Sequence, residues 1–400
     1  MLLHIYYFMK TLLLLNNAYW PSIGGIENSL HHLSDVARQR GWLVKIVVSD
    51  LGYTGVSPSR WYEEVNNVPV YRYPLKPVGW LGPFNLVLGY FAQKRILLNL
   101  HKTHPDALVV SRFHLSVIAA WAVGFKSVKY LVPASMSHEY AVRSSKAQMT
   151  SSPSLLLKRW LHAAIQVRAI KISDVYVFSE LMRRQCSAMV PGKHIDIRMT
   201  KPGVDSRRFH CTCVAEKREL REELGLPSSK CLILFAGRFV HAKGVDVLIE
   251  SLSILPPHFE LVVVGEGIAE PEYRCQVSAA LISDRVHIRP PTREVEKFFK
   301  CCDVFTMTST YEPFGQTILE ALASGLPVVA FSKESGVSTA TEELGFNEYI
   351  EFANEYTSEA LAAAIYSQVS MTEEKRSLQT ERATEAFSWA TLLDNLADRE

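Results

Sequence analysis

Short unbroken apolar runs alternate along this chain with longer stretches whose apolar residues recur every three or four positions. That alternation predicts parallel strands buried on both faces and joined by helices. The first run lies within Lys10–Asn16, where four consecutive leucines read as a buried strand. The turn Trp20-Pro-Ser-Ile-Gly24-Gly25-Ile-Glu27 follows. An amphipathic helix is predicted from about Glu27 to Arg40, with Leu30, Leu33 and Ala37 on one face and Gly41 as its stop. Leu43–Ser49 reads as the second strand, and residues 52–85, rich in Gly, Pro and Tyr, as an irregular excursion. A helix over Leu86–Lys102, a strand over Ala107–Ser111, a helix ending at Trp121–Lys126, and strands over Val128–Val132 and Asp174–Ser179 continue the pattern. Arg112 and His114 stand just past the end of the third strand.

Residues 210–230 read as a charged helix and linker, and the alternation then restarts. Strands are predicted over Cys231–Ala236, Leu261–Val264, Val286–Ile288, Asp303–Met307 and Val328–Phe331. The stretch Ser309–Ala330 organises this half. Pro313 and Gly315 make a turn, Gln316–Ser324 are strong helix formers, and Gly325 and Pro327 stop the helix. A loop between strand and helix lies where open α/β sheets bind ligands. Glu312 is in that loop, and Glu320 is one to two helical turns further on. The helix N-terminus at Phe314–Gln316 suits an anion such as a diphosphate.

Charge divides the chain as the pattern does. Residues 1–210 hold 26 Lys+Arg and 11 Asp+Glu, a balance of +15; residues 211–400 hold 17 and 30, or −13, and the two sum to the +2 of the whole. The basic half is expected to meet something anionic, either a membrane surface or a phosphate-bearing acceptor; no nucleic-acid recognition motif is present. Tyr140–Ser173 contains no acidic residue and carries Arg143, Lys146, Lys158, Arg159, Arg168 and Lys171. Its segment Leu155–Ile165, with Trp160, reads either as a basic amphipathic helix resting on a membrane or as a core helix with a solvated edge. Seven cysteines with no zinc or Cys-x-x-Cys spacing read as reduced thiols of a cytosolic protein. Met1–Leu15 has neither a basic start nor a cleavage site, so residues 1–8 read as an upstream extension and not as a signal peptide. No stretch is long and apolar enough to span a bilayer.

Glu-Pro-Phe-Gly, Glu-Ala-Leu-Ala-Ser-Gly and Pro-Val-Val-Ala, in that order within Ser309–Ala330, resemble the Glu-x7-Glu signature of retaining glycosyltransferases of the GT-B fold, family GT4. Gly237-Arg238-Phe-Val-His-Ala-Lys243-Gly244 resembles the family's Gly-Arg…Lys-Gly element, and Lys201–Phe209 its entry to the second domain. Gly24-Gly25 resembles its glycine loop, and Gly265-Glu-Gly267 reads as a second close-approach turn. The resemblance is strong over 231–331 and weak over 52–200. It implies that Arg238 and Lys243 reach the diphosphate of a nucleotide sugar, that Glu320 holds the ribose and that Glu312 lies beside the sugar. Arg289–Pro291 falls where the family reads the base; Pro290–Pro291 departs from the glycine common there. His138 stands near, though later than, the family's histidine, and catalytic and structural roles are both open for it.

The fold implied is α/β, GT-B, with two Rossmann-like domains facing across a cleft: residues 1–202 for the acceptor and 203–385 for the donor, with 386–400 crossing back to the first. The activity implied is transfer of a sugar, with retention, from a nucleotide diphosphate sugar to a glycan or lipid-linked acceptor in bacterial surface polysaccharide synthesis. Catalytic roles fall to Glu312, Arg238, Lys243 and His138, and donor contacts to Gly24, Gly25, Gly237, Gly265, Gly267, Arg289, Phe314, Gly315, Gln316 and Glu320. No metal or cofactor is expected beyond the donor itself, and the protein is expected in the cytoplasm or on the inner face of the cell membrane. A sugar-nucleotide epimerase of the same architecture and a non-catalytic sugar-nucleotide-binding partner stay open as alternatives.

Overall fold

A computed structural model describes residues 9–22, 24–51, 62–75, 85–135, 153–192 and 194–398. The chain divides into two compact units, Met1–Gly203 with Trp389–Glu400, and Val204–Ser388.

The first unit is built on β1 (Thr11–Leu15), α1 (Gly25–Gln39), β2 (Leu43–Ser49), β3 (Tyr62–Val65), β4 (Val68–Tyr73), α2 (Asn85–Thr103), β5 (Leu108–Ser111), α3 (His114–Val123), β6 (Val128–Leu131), α4 (Pro153–Ile172), β7 (Asp174–Val177), α5 (Glu180–Ala188) and β8 (Ile197–Met199). Its eight strands run in the order β3-β4-β2-β1-β5-β6-β7-β8, all parallel except the β3–β4 pair. Successive residues of a strand serve opposite faces. Leu13, Leu15 and Val47 pack with α2, α3 and α4, whereas Leu12, Leu14, Ile46 and Val48 pack with α1. The C-terminal helix Trp389–Ala397 belongs to this second layer: its Trp389, Leu392, Leu393 and Leu396 are buried against Leu30 and Leu33. Each such buried side chain contributes about 1.5–3 kcal/mol. Arg40 Nη2 adds a 3.0 Å hydrogen bond to Asp394 at the rim.

The β3–β4 hairpin corrects the expectation of an irregular excursion over residues 52–85. Asn66 and Asn67 both take positive φ, 52° and 60°. That is the left-handed pair a two-residue hairpin turn requires, and asparagine tolerates it. The strand boundaries also shift. The strand expected to reach Ser179 ends at Val177, because the Ser179 hydroxyl accepts a hydrogen bond from Met182 N as the cap of α5.

The second unit comprises α6 (Val214–Glu223), β9 (Cys231–Ala236), α7 (Val245–Ile254), β10 (Phe259–Val264), α8 (Glu270–Ala279), β11 (Val286–Arg289), α9 (Glu296–Cys301), β12 (Val304–Met307), β13 (Tyr311–Glu312), α10 (Gln316–Ala323), β14 (Val328–Phe331), β15 (Ser338–Thr339), β16 (Ile350–Ala353), α11 (Ser358–Gln368) and α12 (Glu373–Ala386). Six strands form a parallel sheet in the order β11-β10-β9-β12-β14-β16. Leu232, Leu234 and Ala236 enter one core and Ile233 and Phe235 the other, so the sheet is covered on both faces. Asp303, expected inside a strand, precedes β12. Its carboxylate accepts from Lys217 at 2.6 Å, Arg221 at 2.7 Å and Leu232 N at 2.7 Å, tying α6 to the amino ends of the two central strands. Strand order reverses between β9 and β12, and two loops leave the sheet at that point.

Candidate functional site

Those two loops carry the residues singled out in the second half. The first runs from Gly237 to Gly244 after β9, and the second from Thr308 to Gly315 after β12. Ligands of open α/β sheets bind at the carboxyl ends of strands where the order reverses, and this is that position in the second unit. The loops are stitched together through backbone oxygens of the first. Thr310 N donates to Ala242 O at 2.9 Å and Thr308 Oγ1 to Lys243 O at 2.7 Å. Gly244 has φ 63°, and a side chain there would overlap the Thr308 carbonyl. Only glycine permits that approach.

The Lys243 ammonium reaches across to the Glu312 carboxylate, forming a hydrogen-bonded ion pair from residues 69 positions apart. Both side chains are largely buried, at 20% and 13% exposure, so water screens the pair less than it would at an open surface. Arg238 is exposed on the same loop, and no hydrogen bond or ion pair holds its guanidinium among the described residues. Glu312 is fixed by β13, whose parallel partner β15 holds the loop: Ser338 N donates to Thr310 O at 2.8 Å and Ala340 N to Glu312 O at 3.0 Å. Three residues on, Gly315 caps α10 with φ 85°. That helix has no side-chain cap from Gly315 and no acidic residue in its first turn, so its own sequence puts no negative charge at the positive end of its dipole. Two cations and an uncapped helix N-terminus belonging to these two loops suit a diphosphate.

Glu320 lies in the body of α10 and is buried. Burial pushes its carboxyl up to about 8, partly offset by Arg208 and reinforced by Glu296. Arg208 and Glu296 are themselves paired at 2.5 Å. No hydrogen bond reaches the Glu320 carboxyl among the described residues. At neutral pH it is therefore a neutral acid that can both donate to and accept from a ligand hydroxyl. A stability effect follows from linkage. Between the unfolded-state value, near 4.5, and the folded value, near 8, the unfolded chain releases a proton that the folded chain keeps, so this group's contribution to stability falls as pH rises across that window. Glu320→Gln is expected to remove that fall. Denaturant melts should show the variant more stable than the parent at pH 8, with the gap closing towards pH 5. A gap independent of pH would contradict the assignment.

The remaining sequence candidates fall in several places. Gly237, Gly265 and Gly267 line the β9 and β10 strand ends: Gly237 N donates to Val264 O at 3.0 Å, and a side chain at Gly267 would overlap Phe239 O. Phe314 packs against the core beside Phe387, which makes it a support for the α10 turn. Gln316 opens α10. The Arg289 side chain turns to the Leu224 carbonyl at 3.1 Å, while Arg289 O accepts from Gly265 N at 3.0 Å. Its guanidinium is thus committed to the fold, and its backbone ties β11 to the second glycine turn. Gly24 and Gly25 begin α1 in the first unit. His138 lies outside the described residues, as does most of its surrounding segment. Two features escaped the sequence reading. Thr308 and Thr310, which stitch the loops, had no signal beyond their place after a strand. The Arg208–Glu296 pair beside Glu320 joins residues 88 positions apart.

Residues 216–385 match the family described as glycosyl transferases group 1. Over 173 residues the chain is 35% identical to the D-inositol 3-phosphate glycosyltransferase of Xylanimonas cellulosilytica, covering 41% of this chain and 42% of that one. The chain thus spans about two fifths of the length of that curated relative. Solved structures align over nearly the whole chain. Sucrose-phosphate synthase from Thermosynechococcus elongatus has a TM-score of 0.75 at 18% identity, over 97% of both chains. Anabaena Alr3699/HepE, in complex with UDP and glucose, has a TM-score of 0.72 at 18% identity, over 97% of this chain and 98% of that one. At that identity the likeness establishes the fold, which is GT-B.

Proposed function

We propose that this chain, whose residues 216–385 match the glycosyl transferases group 1 family and which has the GT-B fold, is a glycosyltransferase that moves a sugar from a nucleotide diphosphate sugar to a glycan or lipid-linked hydroxyl. The observation that carries the reading is the pairing of Lys243 with Glu312 where the strand order of the second unit reverses, with Arg238 on the same loop and the uncapped N-terminus of α10 three residues past Glu312. When the donor binds, its diphosphate takes the Lys243 ammonium and the Arg238 guanidinium. The negative charge that grows on the leaving diphosphate is then met by fixed donors. Those two cations and the helix end take the part a divalent ion plays elsewhere, so turnover should survive EDTA. Glu320 donates to and accepts from ribose hydroxyls, and Glu312, released from Lys243, lies beside the sugar. The chemistry retains the anomeric configuration. Incubation with a panel of UDP-, GDP- and ADP-sugars, read by NMR for nucleotide release and product anomer, tests this. Retained configuration with one donor supports it; no release from any donor opposes it.

The acceptor is assigned to the first unit, which carries the positive balance of the chain. Helices α2, α3 and α4 share one layer of that unit. They expose Val87, Leu88, Phe91, Leu98, Trp121 and Trp160, the last 67% accessible. Arg168 sits over the Trp121 ring, and Arg95 is exposed among the apolar residues of α2. Apolar side chains interleaved with cations suit an anionic bilayer surface, where each basic residue contributes about 1 kcal/mol. This supports peripheral attachment at the cytoplasmic leaflet and a lipid-linked acceptor of surface polysaccharide synthesis. None of the described helices is long and apolar enough to cross a membrane. The protein is expected to sediment with liposomes containing anionic lipid, less so as salt rises, and less again after Arg95→Glu with Trp160→Ala. Protein left in the supernatant at low salt would contradict attachment.

A further inference from the structure

On one face of the first sheet the apolar pattern stops short. Val128 and Tyr130 of β6, Val175 and Val177 of β7, and Ile197 of β8 enter the core beneath α2, α3 and α4. Leu131 and Tyr176 enter the opposite core, with α1 and the C-terminal helix. Alternation therefore turns Lys129, Asp174 and Arg198 to that second face, on three adjacent strands. Register sets Lys129 beside Asp174 and Tyr176 beside Arg198. A groove opens over them at the amino ends of the strands. Its two cavities, of about 310 and 220 Å³, share Asp174 and Arg198 as a common wall. Among the described residues, none from α1 or the C-terminal helix lines either cavity, so the apolar cover of this face ends at the groove. Ligand pockets begin at about 300 Å³.

The floor of the groove is cationic and its rim acidic. The Lys129 side chain is 6% exposed; its ammonium donates to Asp174 at 2.9 Å and stands 5.7 Å from the centre of the Tyr176 ring. Arg198 is 34% exposed and donates through Nε to Asp196 at 2.8 Å and through Nη1 to the Tyr176 hydroxyl at 3.4 Å. In both pairs the carboxylate is the outer member, Asp174 at 54% exposure and Asp196 at 70%. Lys126 and Lys171 add positive charge at the two ends. As architecture alone this is a poor solution. Lysine is seldom buried, a pair with a half-exposed carboxylate contributes little, and an apolar residue at 129 would continue the pattern of Leu12, Leu14, Val110 and Leu131. As a site it is coherent. The outer carboxylate can turn to water while the inner cations stay in place for another anion.

We infer that the amino ends of β6, β7 and β8 form a second ligand site, for the phosphate group of a small soluble phosphate ester, with Lys129 and Arg198 as its floor and Asp174 as the group the phosphate displaces. A phosphate dianion answers both cations at once, which the single charge of Asp174 does not. The site lies at the opposite end of the strands from their carboxyl ends and does not rest on the transferase reading. Its floor residues point away from α2, α3 and α4, whose exposed apolar side chains form the bilayer surface, so a soluble ester fits better than a lipid headgroup.

Isothermal titration of the full chain with inorganic phosphate tests this without any turnover. It is run in an Arg238→Ala, Lys243→Ala background so that the donor-side cations are silent. Lys129→Met and Arg198→Met are each expected to weaken phosphate binding on the order of ten-fold or more, because charge-assisted bonds are lost. Asp174→Asn removes the competing charge yet leaves Lys129 an acceptor, and should tighten binding several-fold; with Arg198→Met it decides the matter even if Lys129→Met fails to fold. Affinity unchanged in either methionine variant, or unchanged or weakened in Asp174→Asn, overturns the site and leaves a set of surface ion pairs. Sedimentation with phosphatidylcholine vesicles containing phosphatidic acid, whose headgroup is a phosphate monoester, is the second arm. Equal vesicle binding by the parent and Arg198→Met supports a soluble ester. Binding lost in Arg198→Met with these vesicles, but not with phosphatidylglycerol in their place, would assign the site to a lipid and overturn that choice. The donor panel reads the second unit, so this site and the transferase reading fail separately.

Discussion

Arg238→Ala and Lys243→Ala are each expected to lower turnover on the order of 10²-fold or more, the usual effect of removing one fixed donor to developing charge. The two variants fail for different secondary reasons, and this makes the pair informative. Arg238 is exposed and holds nothing among the described residues, so its loss should leave the melting temperature unchanged while activity falls. Lys243 is paired with Glu312, so its loss also strands a carboxylate whose side chain is only 13% exposed. That should lower stability as well, since a buried charge left without its partner is penalised. Rates and melting temperatures of both variants, measured together, separate transition-state stabilisation from loop integrity. Near-normal rates in both would remove these cations from the mechanism.

Gly265→Ala is expected to destabilise the second unit by about 2–4 kcal/mol and to abolish donor binding with it. The residue has φ 149°, and a methyl group there would overlap the backbone oxygen of Gly237 and stand 3.0 Å from its carbonyl carbon. The Phe239 ring also stands 3.0 Å away, but the overlapping atom is a backbone oxygen, which no side-chain rotation can clear. Gly237 begins the loop that carries Arg238 and Lys243, and displacing it moves both cations. Gly345→Ala is the control: φ is 76°, but nothing lies within 4 Å of the added methyl. Only the left-handed backbone cost, about 1–2 kcal/mol, should appear there. Urea melts compare the two directly. Equal costs would show that the close approach of the β9 and β10 turns is not what requires glycine at 265.

The second unit was legible because its signals are local. Apolar runs at Cys231, Leu261, Asp303 and Val328, each followed by a glycine-bearing turn, place strand ends without knowledge of the partner strands. The hairpin Tyr62–Tyr73 was missed for the opposite reason. Its first strand, Tyr-Glu-Glu-Val, is polar and largely exposed, and only the Asn66-Asn67 pair marks the turn. The side-chain geometry of the site was less readable than its residues. The Lys243–Glu312 contact joins positions 69 apart and the Arg208–Glu296 pair positions 88 apart, and neither spacing has a period. For Arg289 the position was singled out, yet its guanidinium answers the Leu224 carbonyl of a turn 65 residues earlier. Arg112 stood out in the sequence only as a strand-end residue; that its donors are buried and unsatisfied is a property of packing alone.

The most direct test of the central claim is a thermal-stability titration of the full chain with the panel of UDP-, GDP- and ADP-sugars in EDTA. It is run beside Lys243→Ala. A ligand that binds only the native state at 100 times its Kd stabilises by about 2.7 kcal/mol. The expected result is that one base series raises the melting temperature of the parent in the presence of chelator and that the rise is lost or greatly reduced in Lys243→Ala. A rise that appears only after Mg²⁺ is restored, an undiminished rise in Lys243→Ala, or no rise with any sugar nucleotide would contradict a diphosphate held by Lys243 and Arg238.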